Sequence, residues 1–87
     1  MARTVIDRVV ARALVLAIDS TTTDREAVDS LIAVSADSPE RLFRAARLLQ
    51  YRMNERPSTV RTRALRLINA AAVTLEATTA AAGSEAS

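Results

Sequence analysis

The sequence predicts an all-α protein, either a small four-helix bundle or an orthogonal helical domain with a long C-terminal helix. Apolar residues recur at three- and four-residue spacing along almost the whole chain, which is the period of an amphipathic helix. The only glycine is Gly83, and alternating patterns typical of strands are weak. We therefore expect one helical domain over residues 1–82, followed by a short flexible or disordered tail over residues 83–87.

The first predicted helix covers about residues 3–18. Its inward face carries Val5, Ile6, Val9, Val10, Ala13, Leu16 and Ala17. The second half, which includes Leu14, Val15 and Ile18, is apolar on nearly all sides. Such a helix is either central in its fold or part of an oligomer interface. The second of these interpretations predicts a homodimer that forms through the first helix.

The second predicted helix covers residues 24–35 and begins with a capping box. In this motif the Thr23 hydroxyl and the Glu26 carboxylate each accept a hydrogen bond from the backbone N–H at the other residue. The residues expected to point inward are Ala27, Val28, Leu31 and Ile32.

The third predicted helix covers residues 39–54. Either Asp37 or Ser38 caps it, and Pro39 occupies the first helical position, where a missing N–H does no harm. Its inward stripe is Leu42, Ala45, Ala46, Leu49 and Met53.

The fourth predicted helix covers residues 58–82 and follows a break at Arg56 and Pro57, because the residue before proline disfavours helical angles. Its inward face carries Val60, Ala64, Leu67, Ile68, Ala71 and Leu75. Helices three and four fit two arrangements: a helix-turn-helix, or an antiparallel helical hairpin. The length of both helices favours the hairpin.

Charge is distributed unevenly along the chain. All 12 basic residues are arginine, and eight of them fall in residues 41–66, where Glu55 is the only acid. Residues 1–40 carry four arginines against seven acids. A basic window on a small chain indicates a polyanionic partner. Arginine without lysine, in an alanine-rich chain, is typical of a GC-rich genome, but this bias does not explain why the arginines cluster.

The start of the fourth helix breaks a local rule. Helix N-termini favour acids, yet arginines surround this one and residues 56–66 contain no acid. The hydroxyls and backbone amides at Ser58 and Thr59 would form an anion site with nearby guanidinium groups. The guanidinium groups expected there belong to Arg56, Arg61 and Arg63. In the alternative interpretation, acids of the second helix neutralise these arginines within the fold: Asp24, Glu26 and Asp29.

The function predicted from this pattern is non-catalytic nucleic-acid binding, with DNA favoured over RNA. The predicted contact residues are Arg44, Arg47, Tyr51, Arg52, Arg56, Ser58, Thr59, Arg61, Thr62, Arg63, Arg66 and Asn69. Arginine commonly pairs with guanine edges and asparagine with adenine edges. Arg66 and Asn69 are therefore the residues predicted to contact base edges. The alternative function is a protein-interaction module, an adaptor or inhibitor, that docks on an acidic partner protein.

Composition argues against several other classes. The chain has no cysteine and no histidine, which removes the thiolate ligand, the commonest metal ligand and the commonest general base. We therefore expect no enzyme activity, no cofactor and no metal. No apolar run approaches the roughly 20 residues of a membrane span, so we expect a cytoplasmic protein with no membrane partner.

Overall fold

The structure is a computed structural model that describes the backbone of residues 4–86 and the side chains of residues 4–80. Within residues 4–86 the chain forms four α-helices and no β-strand, which confirms the predicted all-α class. The helices are α1 (Val5–Ile18), α2 (Asp24–Val34), α3 (Pro39–Glu55) and α4 (Thr59–Ala86). Each predicted helix is present, and the boundaries differ by a few residues.

Side-chain caps explain where α1 and α2 begin. The Thr4 hydroxyl accepts a hydrogen bond from the Asp7 N–H at 3.1 Å, so α1 starts two residues later than predicted. At α2 the predicted capping box is confirmed. The Glu26 N–H donates to the Thr23 hydroxyl at 3.2 Å, and the Thr23 N–H donates to the Glu26 carboxylate at 3.4 Å. Each cap satisfies an amide that the first helical turn leaves unpaired.

Serine hydroxyls cap α3 and α4. Ser38 accepts from the Arg41 N–H at 3.3 Å, which decides between the two predicted caps in favour of Ser38 over Asp37. Ser58 accepts from the Arg61 N–H at 3.1 Å, so α4 begins at the residue after it. These caps set where α3 and α4 begin.

The end of α2 is a Schellman motif built without glycine. The Ala36 N–H donates to the Ala33 carbonyl and the Asp37 N–H to the Ile32 carbonyl, both at 3.1 Å. This geometry requires a left-handed residue after the helix, a position that glycine usually occupies. Here Ala36 has φ 56° and Asp37 has φ 58°. The motif closes α2 at Val34, one residue before the predicted end, and it stores backbone strain.

The last helix is longer than predicted. Alanine has the highest intrinsic helix propensity, and it predominates just before the expected end at residue 82. α4 nevertheless continues four residues further, through Gly83 and Ser84, to Ala86. The flexibility predicted for residues 83–87 falls on residues whose side chains lie outside the described part, and it stays a prediction. No helix within the described residues is long and apolar enough to cross a membrane.

All four helices contribute to one hydrophobic core. α4 packs against the other three helices, and α1 also contacts each of the others. The buried residues are small or aliphatic: Val9, Val10, Ala13, Ala17, Ala27, Leu31, Leu42, Ala45, Ala46, Leu49, Ala64, Leu67, Ile68, Ala71, Ala72 and Leu75. Small alanine side chains let the helices approach closely. Burial of each leucine contributes roughly 1.5–3 kcal/mol relative to exposure.

α3 and α4 form an antiparallel hairpin. Near the connection, Gln50 of α3 lines a groove with Leu65 of α4. At the far end, Pro39 of α3 lines a depression with Glu76 of α4. The two helices therefore run side by side along the whole of α3. A helix-turn-helix pair would diverge from its turn at a large angle, so the structure favours the hairpin.

The α1–α2 loop is organised by Asp19. Its carboxylate accepts hydrogen bonds from the Thr21 hydroxyl at 2.7 Å, the Thr22 hydroxyl at 2.8 Å and the Thr21 N–H at 2.9 Å. These bonds lower the pKa of Asp19 from 3.8 to about 2, and the bond from the Thr21 hydroxyl has the largest effect. Hydrogen bonds to the charged form of a carboxyl stabilise that form.

Candidate anion-binding surface

The twelve predicted contact residues lie on α3, on the connection after it and on the first three turns of α4. The structure does not bring them together in one site. Some hydrogen-bond within the chain, whereas others are exposed without a partner among the described residues. This division decides which of them remain free to meet an external anion.

Arg63 holds the C-terminal end of α1. Its guanidinium donates to the Ala17 carbonyl at 3.3 Å, across 46 positions of sequence, and its side chain is only 33% exposed. The Asp24 carboxylate lies 4.0 Å away. The last carbonyls of a helix have no intrahelical partner and carry partial negative charge. Since α1 has no basic residue in its last turn, Arg63 supplies one from α4.

Arg61 does the same for α3. Its guanidinium donates to the Arg52 carbonyl at 3.1 Å and to the Arg56 carbonyl at 2.9 Å. The carbonyls at the end of α3 thus gain a charged donor from the next helix. The sequence predicted that Arg61 would face an external anion, but in the structure the negative end of a helix takes that place.

Arg41 completes the pattern at α2. Its guanidinium donates to the carbonyl of Ser35, the C-cap residue of α2, at 3.3 Å. α2 also has no basic residue in its last turn. Arg41, Arg61 and Arg63, hereafter the capping arginines, therefore each contact the end of a different helix. Sequence reasoning missed this role, because only the tertiary fold brings each arginine to its helix end.

Two of the three hydroxyls near the start of α4 also form hydrogen bonds within the chain. Ser58 caps the helix, and the Thr62 hydroxyl donates back to the Ser58 carbonyl at 2.9 Å. Thr59 is exposed, with no side-chain hydrogen bond among the described residues. The predicted anion site thus has Ser58, Arg61 and Arg63 already hydrogen-bonded within the chain, and its binding of an anion stays a prediction.

Neutralisation by acids of α2 occurs at one point only. Asp24 approaches Arg63 at the 4.0 Å limit of an ion pair. Glu26 is used in the capping box, and Asp29 is exposed. Among the described residues no group of three or more carboxylates lies close enough to hold a metal ion. The alternative interpretation, in which these acids neutralise the basic window, therefore holds for Arg63 alone.

Four arginines of the window are left over. Their side chains are exposed and make no ion pair or side-chain hydrogen bond with any described residue. These exposed arginines are Arg47, Arg52, Arg56 and Arg66. Arg44 is also exposed, but it pairs with Glu40 at 2.7 Å one helical turn earlier. An exposed pair of this kind contributes only about 0.3–0.5 kcal/mol, so an incoming anion can replace it.

The exposed arginines surround the connected end of the hairpin and differ in their neighbours. Arg66 lines a shallow depression with Thr59 and Thr62. Arg47 lines a groove between α3 and α4. Arg52 instead lines a depression that also contains Asp7 of α1. Arg47 also lines the depression that contains Glu40 and Glu76, so Arg66 is the exposed arginine whose depression contains no acid.

Two predicted residues without charge lie on the same side. Asn69 lines the groove that also contains Arg47, and Tyr51 is 64% exposed on α3. The same groove contains Phe43, which the sequence analysis did not single out and which is 40% exposed. Phe43 is absent from every predicted inward stripe, and this absence was the signal that could have identified it as exposed.

Comparison with known proteins adds no functional information. No family model matches the chain, and neither the curated proteins nor the solved structures include a significant match to it. The fold and the surface define a small all-α helical bundle that carries exposed arginines on both helices and on the connection of an antiparallel hairpin.

Proposed function

We propose that this protein binds nucleic acid, with DNA favoured over RNA, through the outer side of the α3–α4 hairpin. One observation carries the proposal. Arg47, Arg56 and Arg66 expose guanidinium groups that have no acid or carbonyl partner among the described residues. Of the other arginines in this window, Arg41, Arg61 and Arg63 cap helices and Arg44 pairs with Glu40. Arg52 has no partner but lines a depression that also contains Asp7.

The expected contacts are made to phosphates. A guanidinium offers a planar set of donors that matches two phosphate oxygens. A nucleic-acid backbone presents phosphates in series, so separated arginines can each bind one. Arg61 and Arg63 keep their positive charge and add to the potential near the α3–α4 connection without reaching the ligand. Phosphate contacts position a protein but carry no sequence information.

The proposal predicts a strong dependence on salt. Three or four phosphate contacts give a slope of about −2.7 to −3.6 for a duplex, and about −2 to −3 for a single strand, in a plot of log K against log salt concentration. Filter binding of a duplex and of a single strand over a series of salt concentrations, starting from low salt, measures this slope. No binding of either at micromolar protein would reject the proposed function.

A matched pair of triple variants locates the surface. Replacing Arg47, Arg56 and Arg66 together with glutamine should weaken binding at least about 10-fold and reduce the salt slope by up to about 3. The control replaces Arg8, Arg12 and Arg25, which are also exposed but lie on α1 and α2. Both variants change the charge by the same amount, so equal losses would show that net charge alone is responsible.

Exposed apolar residues on α1 favour a second candidate function, contact with another protein. Val15 is 59% and Ile18 is 70% exposed, and Val15 lines a surface depression with Val34. We propose a second copy of the chain as the occupant, which would give a homodimer. An acidic partner protein that binds the exposed arginines remains the alternative to nucleic acid.

The oligomeric state tests this second candidate. Light scattering at high micromolar concentration should give the mass of a dimer, and a double replacement of Val15 and Ile18 with aspartate should give a monomer. Val73→Asp places a charge on another exposed apolar side chain and should leave the dimer intact. A monomer mass for the unmodified protein would reject the homodimer.

A further inference from the structure

Both aromatic residues of this chain are exposed. Phe43 and Tyr51 are its only aromatics, and the core is formed entirely by aliphatic side chains and alanine. Phe43 is 40% and Tyr51 is 64% exposed. A marginal core gains most from aromatic side chains, which bury large areas. The fold thus leaves its two largest apolar rings outside the core.

The two rings lie on the same side of α3 with Arg47 between them. Phe43, Arg47 and Tyr51 follow at intervals of four residues, so they occupy successive turns of one helix face. A rise of 1.5 Å per residue places Phe43 and Tyr51 about 12 Å apart along the axis. The arrangement alternates an aromatic ring, a cation and a second aromatic ring.

The surroundings of Phe43 differ on its two sides. Toward Gln50 it lines a groove with Ala46, Leu65 and Asn69, in which Arg47 is the only charged residue. Toward the start of α3 it borders a depression in which Glu40 and Glu76 balance the charge of Arg44 and Arg47. An anionic ligand is therefore favoured on the Gln50 side. The two amides there can hydrogen-bond the edge of a flat polar ring.

We propose that the face of α3 formed by Phe43, Arg47 and Tyr51 binds single-stranded nucleic acid. One base stacks on Phe43 and a nearby base on Tyr51, while Arg47 binds the phosphate backbone between them. The proposal rests on the proposed function and specifies its ligand class. In a duplex the faces of the bases are covered by their neighbours, so exposed aromatic rings discriminate in favour of single strands. Stacking on aromatic rings combined with basic residues along the backbone is how proteins bind single strands without sequence preference.

Tyr51 provides a direct readout. The chain has one tyrosine and no tryptophan, so its intrinsic fluorescence reports Tyr51 alone. Titration with a short oligothymidylate should quench this fluorescence, whereas inorganic polyphosphate, which has charge but no bases, should bind without quenching. Equal quenching by polyphosphate would contradict stacking, as would oligothymidylate binding that leaves the fluorescence unchanged.

Variants test both rings independently of the fluorescence. Phe43→Leu and Tyr51→Leu should each weaken binding of a labelled oligothymidylate at least about 10-fold in anisotropy titrations. Both should leave polyphosphate affinity within about 2-fold, because electrostatic attraction is retained. Val73→Ala removes exposed apolar area on α4 and should change neither affinity. Circular dichroism confirms that each variant is folded.

The outcomes separate the two proposals. If duplex and single strand bind equally and both leucine variants bind like the unmodified protein, stacking is wrong and the proposed function stands. If neither nucleic acid binds, both proposals are wrong.

Discussion

The helix ends and the outer side of the α3–α4 hairpin use the same side chain for different purposes. At the ends of α1, α2 and α3, an arginine from a later helix donates to carbonyls of the last turn or of the C-cap residue. On the outer side of the hairpin, arginines a few positions away extend into solvent without a partner among the described residues. Charge alone therefore does not identify a binding surface. The two roles differ in whether the guanidinium already has an acceptor among the described residues.

The largest stability effect is expected at Arg63. Arg63→Met keeps most of the apolar stem and removes the donor to the Ala17 carbonyl. Hydrogen bonds from charged groups contribute about 1.5–3 kcal/mol, and partial exposure reduces this to about 1–2 kcal/mol. Thermal unfolding should show a melting temperature lowered by at least about 4 °C.

Arg66→Met is the matched control for this change. Its side chain is exposed and has no described partner, so the free energy of unfolding should change by no more than about 0.5 kcal/mol. Equal losses in the two variants would contradict the distinction between capping and exposed arginines.

A smaller loss is expected at Arg61. Arg61→Met removes donors to two carbonyls, but this end of α3 is more exposed to water than that of α1. Water can replace part of the lost interaction, so we expect about 1 kcal/mol in urea unfolding. Arg56→Met, at an exposed position beside it, should leave the unfolding midpoint unchanged. If Arg56→Met lowered the unfolding midpoint as much as Arg61→Met does, the capping role of Arg61 would be wrong.

At the end of α2 we expect a substitution that raises the free energy of unfolding. Ala36→Gly relieves the left-handed strain at φ 56° and should stabilise the protein by about 0.5–1 kcal/mol. Ala33→Gly, an exposed helical position in the same turn, should destabilise it by a similar amount. If both glycines destabilise, the Schellman geometry at Ala36 is wrong.

The smallest effect concerns pH and the α1–α2 loop. Because the pKa of Asp19 is lowered to about 2, its stabilising contribution is present above its unfolded value of 3.8 and is lost as pH falls through about 2. The stability difference between the unmodified protein and Asp19→Ala should therefore shrink over that pH window.

A carboxyl titration by NMR tests the cause. In a variant that carries Thr21→Ala and Thr22→Val, the pKa of Asp19 should return toward 3.8, because the hydroxyl donors are gone. An unchanged pKa in this variant would exclude the threonine hydroxyls as its cause.

Local patterns made much of the fold predictable. Periodicity placed Leu31, Leu42 and Ile68 in the core, and the Thr23 cap was evident from side chains that act within one helical turn. Those features depend on residues three or four positions apart, so the sequence displays them directly. The antiparallel hairpin followed in part from helix length.

The features that escaped prediction depend on distant or backbone contacts. Arg63 reaches Ala17 across 46 positions, and no pattern of residues marks that contact. Ala36 gives no sign of a left-handed conformation, because glycine or asparagine is the usual signal. For the candidate surface, periodicity predicted that Arg47 and Arg66 would be exposed. It could not reveal that Arg61 and Arg63 already have acceptors.

The central claim is that the exposed arginines bind the ligand while the capping arginines hold the fold. The side-chain Nε–H signals of the arginines in a ¹H–¹⁵N spectrum test it directly, when a short DNA strand is added to the unmodified protein. We predict that Arg47, Arg56 and Arg66 shift, and that the capping arginines, which already donate to backbone carbonyls, do not. Shifts confined to Arg41, Arg61 and Arg63, or no shift at saturating DNA, would contradict the account.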